Sequence, residues 1–472
     1  MIVISWLHAP AKDIFVAQSA TGSENGASCS SAYSLAWLNT SSNWGTGATQ
    51  IGPGDVVHLC GPITSPITFY GSGTNAAPIT LYFESGASMQ QPVWSTPAIT
   101  LNGQSWIVVD GGNGGRIFST NSGTGQNAGD SICIKTDAGA ANVTIQNVEC
   151  GPMYLRTSSG DSHQVGSGIC CSSGNHLTIR NSVFHDAYYC IDAGGSNVSD
   201  ITIYGNNIYN CSTGIVVGDG GSGTTVSNVQ IYGNHIHDGA NWDGCWNGCS
   251  VWNHNDGIHV WTSSGGTQNA PKIYGNTIDG NWGAHTTAFI FMEADEGPMP
   301  SPMVYNNLLN NTGPDSPTNG LVEMKENITS GQLYNNTFAC EAAGGNGVHW
   351  EGGSSSKAIN NVFLNCGTAF ANDDGAGSMS HDYTAYWKTP AQSDAHMTTA
   401  NPLLSVTLVP LPCSPLIGHG ENLSALFTTD LAGAARPSSG AWTLGAYEVA
   451  PGSGAGCGNK PAPPPTLKAT PK

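Results

Sequence analysis

One stretch of sequence recurs along this chain, and recurrence constrains a fold more tightly than composition does. The segments VTIQN, LTIRN, ITIYGN, VQIYGN, PKIYGN, PMVYNN, GQLYNN and KAINN align on Asn147, Asn181, Asn206, Asn234, Asn276, Asn307, Asn336 and Asn361. Successive asparagines are 34, 25, 28, 42, 31, 29 and 25 residues apart. Each unit holds a short strand of alternating apolar and polar residues, the Asn turn, a Gly-rich stretch and a second strand such as GIVVG, GIHVW, AFIFME, GLVEMK or GVHWE. A unit of this size cannot bury its own apolar face, whereas stacked units can. Two or three strands per ~25 residues, with no helical period, describe one coil of an all-β, right-handed parallel β-helix. The recurring Asn is expected to be structural: it tolerates the left-handed backbone of a sharp turn, and its amide can ladder to the next coil.

Composition agrees. The 472 residues include 63 Gly, 13 Trp, 15 Tyr and 11 Phe, and only 10% are charged. Helices favour Ala, Leu, Glu and Lys, and a disordered chain would lack the aromatics. The formal charge is −19, from 13 Lys+Arg against 32 Asp+Glu. That balance excludes the basic face a nucleic-acid partner needs. It also disfavours polyanionic polysaccharides unless a cation such as Ca²⁺ screens the encounter. No run approaches the ~20 apolar residues of a membrane span. A monomer is expected.

The 14 cysteines, with no recurring zinc spacing, read as disulfides formed in an oxidising compartment. Cys340 and Cys366 fall four and five residues after equivalent asparagines, so they can bridge neighbouring coils. Cys29 with Cys60, Cys245 with Cys249, and Cys413 with Cys457 are further expected pairs. Residues 1–12 read as a leader remnant that lacks a signal peptide's basic region, so the export signal of a secreted protein is expected upstream. Residues 13–110 read as an N-terminal cap with the first coils, and 111–400 as the repeats with an insertion at 238–256. Residues 401–450 read as a C-terminal cap and 451–472 as a Pro/Gly-rich tail.

The opening DIFVAQSATGSENGASC and GPGDVVHLCG, the Asn-punctuated coils, and the ending SPLIGHG, TDLAGAARP and LGAYE resemble secreted bacterial proteins of the pectin-lyase-like β-helix superfamily. The likeness covers most of the chain and implies the fold. It does not imply one reaction, because the superfamily includes polygalacturonases, lyases, epimerases and proteins of unknown activity.

The residues themselves suggest where chemistry sits. The 42-residue gap holds DGANWDGCWNGCSVWNHNDGIHVW, an insertion carrying Trp242, Trp246, Trp252 and Trp261. Long loops on a rigid scaffold carry function, and flat aromatic faces stack on sugar rings. In the strands that follow, Ile258 and Val260, Ile290 and Met292, Val322 and Met324, and Val348 and Trp350 are expected to point inward. Alternation then turns outward His259 and Trp261, Phe291 and Glu293, Glu323 and Lys325, and His349 and Glu351. At the ~4.8 Å strand spacing these would form one groove, which Asp256 borders.

Glycoside hydrolysis needs two carboxyls, ~5–5.5 Å apart for retention or ~6.5–9.5 Å for inversion. Glu293 and Glu323, with Asp256 and Glu351 beside them, are the expected source, and hydrolysis would need no cofactor. Asp256 in NHNDGIH resembles the NTDG carboxylate motif of polygalacturonases, although His254 and Asn255 depart from it, and no RIK-type motif is present. His419 in GHG matches another polygalacturonase motif by letters only, within a structural ending. The alternative is a lyase or epimerase acting on a uronate polymer, with Lys325 as base and Ca²⁺ held by Glu293 and Glu323. VEMKEN faintly resembles the Glu-and-Lys strand of calcium-dependent lyases. Only four Arg exist, none near these strands, which favours hydrolysis of a neutral or weakly acidic glycan. A third possibility is a glycan-binding or surface-structural protein without catalysis.

Overall fold

The structure is a computed structural model that describes residues 11–450, apart from 122–130, 137–138, 157–160, 162–165, 171–173, 244–254, 341–344 and 373–378. It is a right-handed parallel β-helix, with 45% of residues in strands and 3% in helices. Among the described residues, two long parallel sheets hold 15 and 21 strands. The core is built by stacking like on like. Ile179, Ile203, Ile231, Ile273, Val304, Leu333 and Ala358 are register partners in consecutive coils. All seven are fully buried. Branched side chains suit the pleat of a half-buried strand, which is why the repeat keeps an aliphatic residue here.

The asparagine turn divides its two expected roles between adjacent residues. Asn206, Asn234, Asn276, Asn307, Asn336 and Asn361 form a buried amide ladder, each Nδ2 donating to the next Oδ1 at 2.9 to 3.1 Å. The same Nδ2 groups donate to backbone carbonyls of the aliphatic stack, as Asn276 does to Ile231 at 2.9 Å. The left-handed backbone belongs to the residue before: Gly205, Gly233, Gly275, Asn306, Asn335 and Asn360. Asn147 and Asn181 take that left-handed place, with φ of 57° and 50°. They therefore align one residue away from the ladder, a correction to the sequence alignment. The choice between Gly and Asn has a cause. Where residues 401–450 lie along the coils, Asn306, Asn335 and Asn360 donate their amides to the carbonyls of Thr429, Thr443 and Glu421.

Seven strands of the second sheet, register partners from coil to coil, carry the candidate site: β1 (Val183–Gly195), β2 (Asn207–Asp219), β3 (Asn255–Trp261), β4 (Thr286–Glu293), β5 (Gly320–Met324), β6 (Asn346–Trp350) and β7 (Thr368–Asn372). Alternation breaks once in several of them. Phe289 with Ile290, Leu321 with Val322, and Ala369 with Phe370 are neighbours that both join the core. A strand rounding the corner of a coil turns two successive residues inward, and beyond the corner alternation resumes.

The described disulfides are Cys29–Cys60, Cys133–Cys150, Cys190–Cys211 and Cys340–Cys366. The first and last are expected pairs, the last from its spacing after the asparagines. Cys245–Cys249 and Cys413–Cys457 fall wholly or partly outside the described residues.

Candidate active site

Beyond the corner, two outward rows run from coil to coil. The inner row is Val216, His259, Phe291, Glu323, His349 and Ala371, register partners from β2 to β7. The outer row begins with Gly218, Trp261 and Glu293. It continues in the same phase with Lys325 and Glu351, just past β5 and β6. The opposite phase, Ile258, Val260, Ile290, Met292, Val322, Met324, Val348 and Trp350, is buried throughout. The phase read from alternation is the one the fold adopts.

His259 stands between two carboxyls. Its Nε2 lies 2.8 Å from Glu293 Oε2, and its Nδ1 lies 3.9 Å from Asp256 Oδ2. Its ring stacks on Phe291, with centroids 4.6 Å apart and planes 12° apart. The side chain of Glu293 is 26% exposed, whereas Asp256 is fully buried. Asp256 Oδ1 accepts the Ala288 amide hydrogen at 3.1 Å, and Oδ2 has no hydrogen-bond partner. Burial pushes the Asp256 carboxyl up to about 7, with Glu323 and Glu293 adding to the rise and His259 and the Ala288 bond opposing it.

Further along, Lys325 Nζ lies 3.0 Å from Glu351 Oε2, 3.7 Å from Asp295 Oδ2 and 3.8 Å from Glu323 Oε1. Burial alone would lower the lysine, but these three acids outweigh it and raise its pKa. Burial also raises Glu351, with Glu323 adding to the shift while Lys325 works against it. Glu323 was expected to line an open groove. It is instead fully buried, with Oε2 accepting from Asn319 Nδ2 at 2.7 Å. His349 Nδ1 is 3.7 Å from both Glu323 Oε1 and Glu351 Oε1.

The aromatic residues separate. Trp261 is half-buried on the outer row and lies against Gly218 of the preceding coil. Phe291 is only 1% exposed, being covered on the His259 side by the stacked imidazole, so it offers no free face to a sugar. Trp242 is likewise buried: Tyr154 and Tyr188 pack against it, and its Nε1 donates to the Asn210 carbonyl at 2.8 Å. It anchors its segment rather than presenting a platform. Trp246 and Trp252 lie outside the described residues.

Three polar residues of this face were missed in the sequence. Asn319 orients Glu323 from the turn before β5. Asp295 sits two residues after Glu293, where alternation would have placed it. Asp192 is the register partner of Val216 and so begins the inner row; burial pushes its carboxyl up to about 6. The alternation of β1 could have revealed it. The GHG histidine, His419, lies elsewhere, in an open depression with Tyr383, His396 and Glu421.

No protein-family model and no curated protein matches the chain. Solved structures do. XylC in complex with xylose is similar over 93% of this chain and 98% of its own, at 11% identity and a TM-score of 0.53. Pectate lyase Pel9A is similar over 93% and 97%, at 16% identity and a TM-score of 0.45. The GH136 lacto-N-biosidase from Eubacterium ramulus is similar over 82% and 68%, at 12% identity and a TM-score of 0.48. At these identities the likeness is one of fold, and the protein takes its place among the parallel β-helix proteins.

Proposed function

We propose that the protein is an extracellular glycoside hydrolase that cleaves a neutral or weakly acidic polysaccharide along β3 to β6. The observation that carries this reading is the pair of carboxyls on opposite sides of the His259 imidazole. Their environments differ as an acid and a base require: Asp256 is buried and held near neutrality, while Glu293 is reachable and paired to His259. Asp256 holds the proton and, being fully buried, acts through the neighbouring His259, while the partly exposed Glu293 activates the water.

The substrate class follows from charge. Glu293, Asp295, Glu323 and Glu351 face the single Lys325, so a polyanion meets repulsion. The four arginines are engaged elsewhere: Arg116 with Glu149, Arg156 with the Asp243 carbonyl, Arg180 with Gln146 and Arg436 with Glu448. A uronate carboxylate would find no bidentate partner. Elimination with Lys325 as base is disfavoured, because its three acids hold the proton on it. Trp261 supplies the stacking face. The disulfides support an oxidising, extracellular setting. The test is whether Asp256→Asn and Glu293→Gln each stop the release of reducing ends from a susceptible glycan. If both variants turn over like wild type, the site is misplaced.

A further inference from the structure

We infer that Glu323, His349 and Glu351 form a binding site for a divalent ion of the zinc and manganese class, one coil beyond the His259–Glu293 pair. One ligand atom from each residue lies within 4.8 Å of the other two. The fold creates this proximity simply: Glu323 and His349 are register partners on β5 and β6, and Glu351 follows His349 on the same side.

An independent observation points to a ligand. Glu323 is fully buried, and its Oε1 has no hydrogen-bond partner. The other oxygen is fixed by Asn319, so Oε1 is held toward His349 and Lys325, at 3.7 and 3.8 Å, both beyond hydrogen-bond reach. A buried carboxylate oxygen left unpaired is costly, and a cation bound to it removes the cost. Charge gives the same direction. Glu293, Asp295, Glu323 and Glu351 exceed Lys325 by three negative charges, and a divalent ion offsets two of them. Lys325 need only swing from Glu351 toward Asp295, already 3.7 Å away.

The donor set selects the ion. One imidazole with two carboxylates, leaving positions for water or substrate oxygens, suits Zn²⁺ or Mn²⁺. Ca²⁺ takes six to eight oxygens and no imidazole. This differs from the Ca²⁺ site expected at Glu293 and Glu323. Resting on the hydrolase reading in this one respect, the bound ion would hold paired hydroxyls of a sugar seated beside Glu293.

The experiment is isothermal titration of the chelator-treated full chain with Zn²⁺, Mn²⁺ and Ca²⁺, without glycan, so that it stands apart from any test of hydrolysis. One equivalent of Zn²⁺ or Mn²⁺ should bind and raise the thermal midpoint. Glu351→Gln and His349→Ala, whose side chains are partly exposed, should each weaken that affinity by ~10-fold or more. Glu293→Gln should not. Circular dichroism of each variant establishes that it is folded. Undiminished binding in both ligand variants, a preference for Ca²⁺, or no binding of any ion overturns the inference.

Discussion

His259 Nε2 lies 2.8 Å from Glu293 Oε2, a contact between neighbouring coils whose residues are 34 apart in the chain. That contact fixes the one carboxylate of the His259 pair that solvent and substrate can reach. Replacing Glu293 with Gln preserves shape and removes the charge. Turnover should fall by ~10²-fold or more, the usual scale for losing an acid–base group. The thermal midpoint should stay within about 2 °C, since a partly exposed ion pair contributes ~1 kcal/mol at most. Initial rates and a melting curve on one preparation check both halves.

Asp256 gives a pH signature. Its carboxyl is raised from 3.8 to about 7, first by burial. The folded protein therefore keeps a proton that the unfolded chain has already released between those values. The stability this proton contributes is present at the acid end and is lost as pH rises through about 7. Asp256→Asn lacks the titration. The stability of the variant relative to wild type should rise by a few kcal/mol between pH 4 and 8, because each tenfold difference in proton affinity between folded and unfolded chains is worth ~1.4 kcal/mol. Urea unfolding at a series of pH values measures it, and a flat difference would falsify the assignment. Wild-type kcat/KM should decline above pH 7 as the acid ionises.

Trp261 is positioned by an absence. A Cβ on Gly218 would sit 2.5 to 2.7 Å from Cε2, Cζ2 and Nε1 of the indole. Gly218→Ala should lift the ring from its seat and raise KM several-fold with little change in kcat, as Trp261→Ala should also do. If Gly218→Ala leaves KM unchanged, Trp261 is not the stacking face.

The amide ladder should carry much of the coil stability. Asn276 accepts from the Asn234 amide and donates to Asn307 and Ile231, all while fully buried. Asn276→Ala leaves those partners short of bonds and should cost about 3 kcal/mol. Asn206→Ala, at the start of the ladder, should cost less. Chemical denaturation distinguishes the two.

The period of the repeat made the fold legible, and parallel register made the two rows legible, because equivalent residues stack without offset. What depended on contacts between distant segments was not. Glu323 is fully buried on the next coil's side, where His349, 26 residues later, stands 3.7 Å from its Oε1. Trp242 is buried because Tyr154, 88 residues earlier, packs against it. The asparagines misled for a different reason: Gly-Asn, Asn-Asn and Asn-Ser turns look alike when aligned on one letter, yet the left-handed backbone and the ladder amide occupy adjacent positions. The corner that turns Phe289 and Ile290 inward together is a property of the closed coil, which alternation along one strand does not contain.

The most direct test of hydrolysis is a panel of neutral and uronic polysaccharides, each reaction followed both for new reducing ends and for absorbance near ~235 nm, where an unsaturated uronate formed by β-elimination absorbs. Reducing ends are expected from a neutral or weakly acidic glycan, with no rise in absorbance and no release by Glu293→Gln. Reducing ends accompanied by absorbance, appearing on a uronic polymer and abolished by Lys325→Ala, would rule out hydrolysis in favour of elimination.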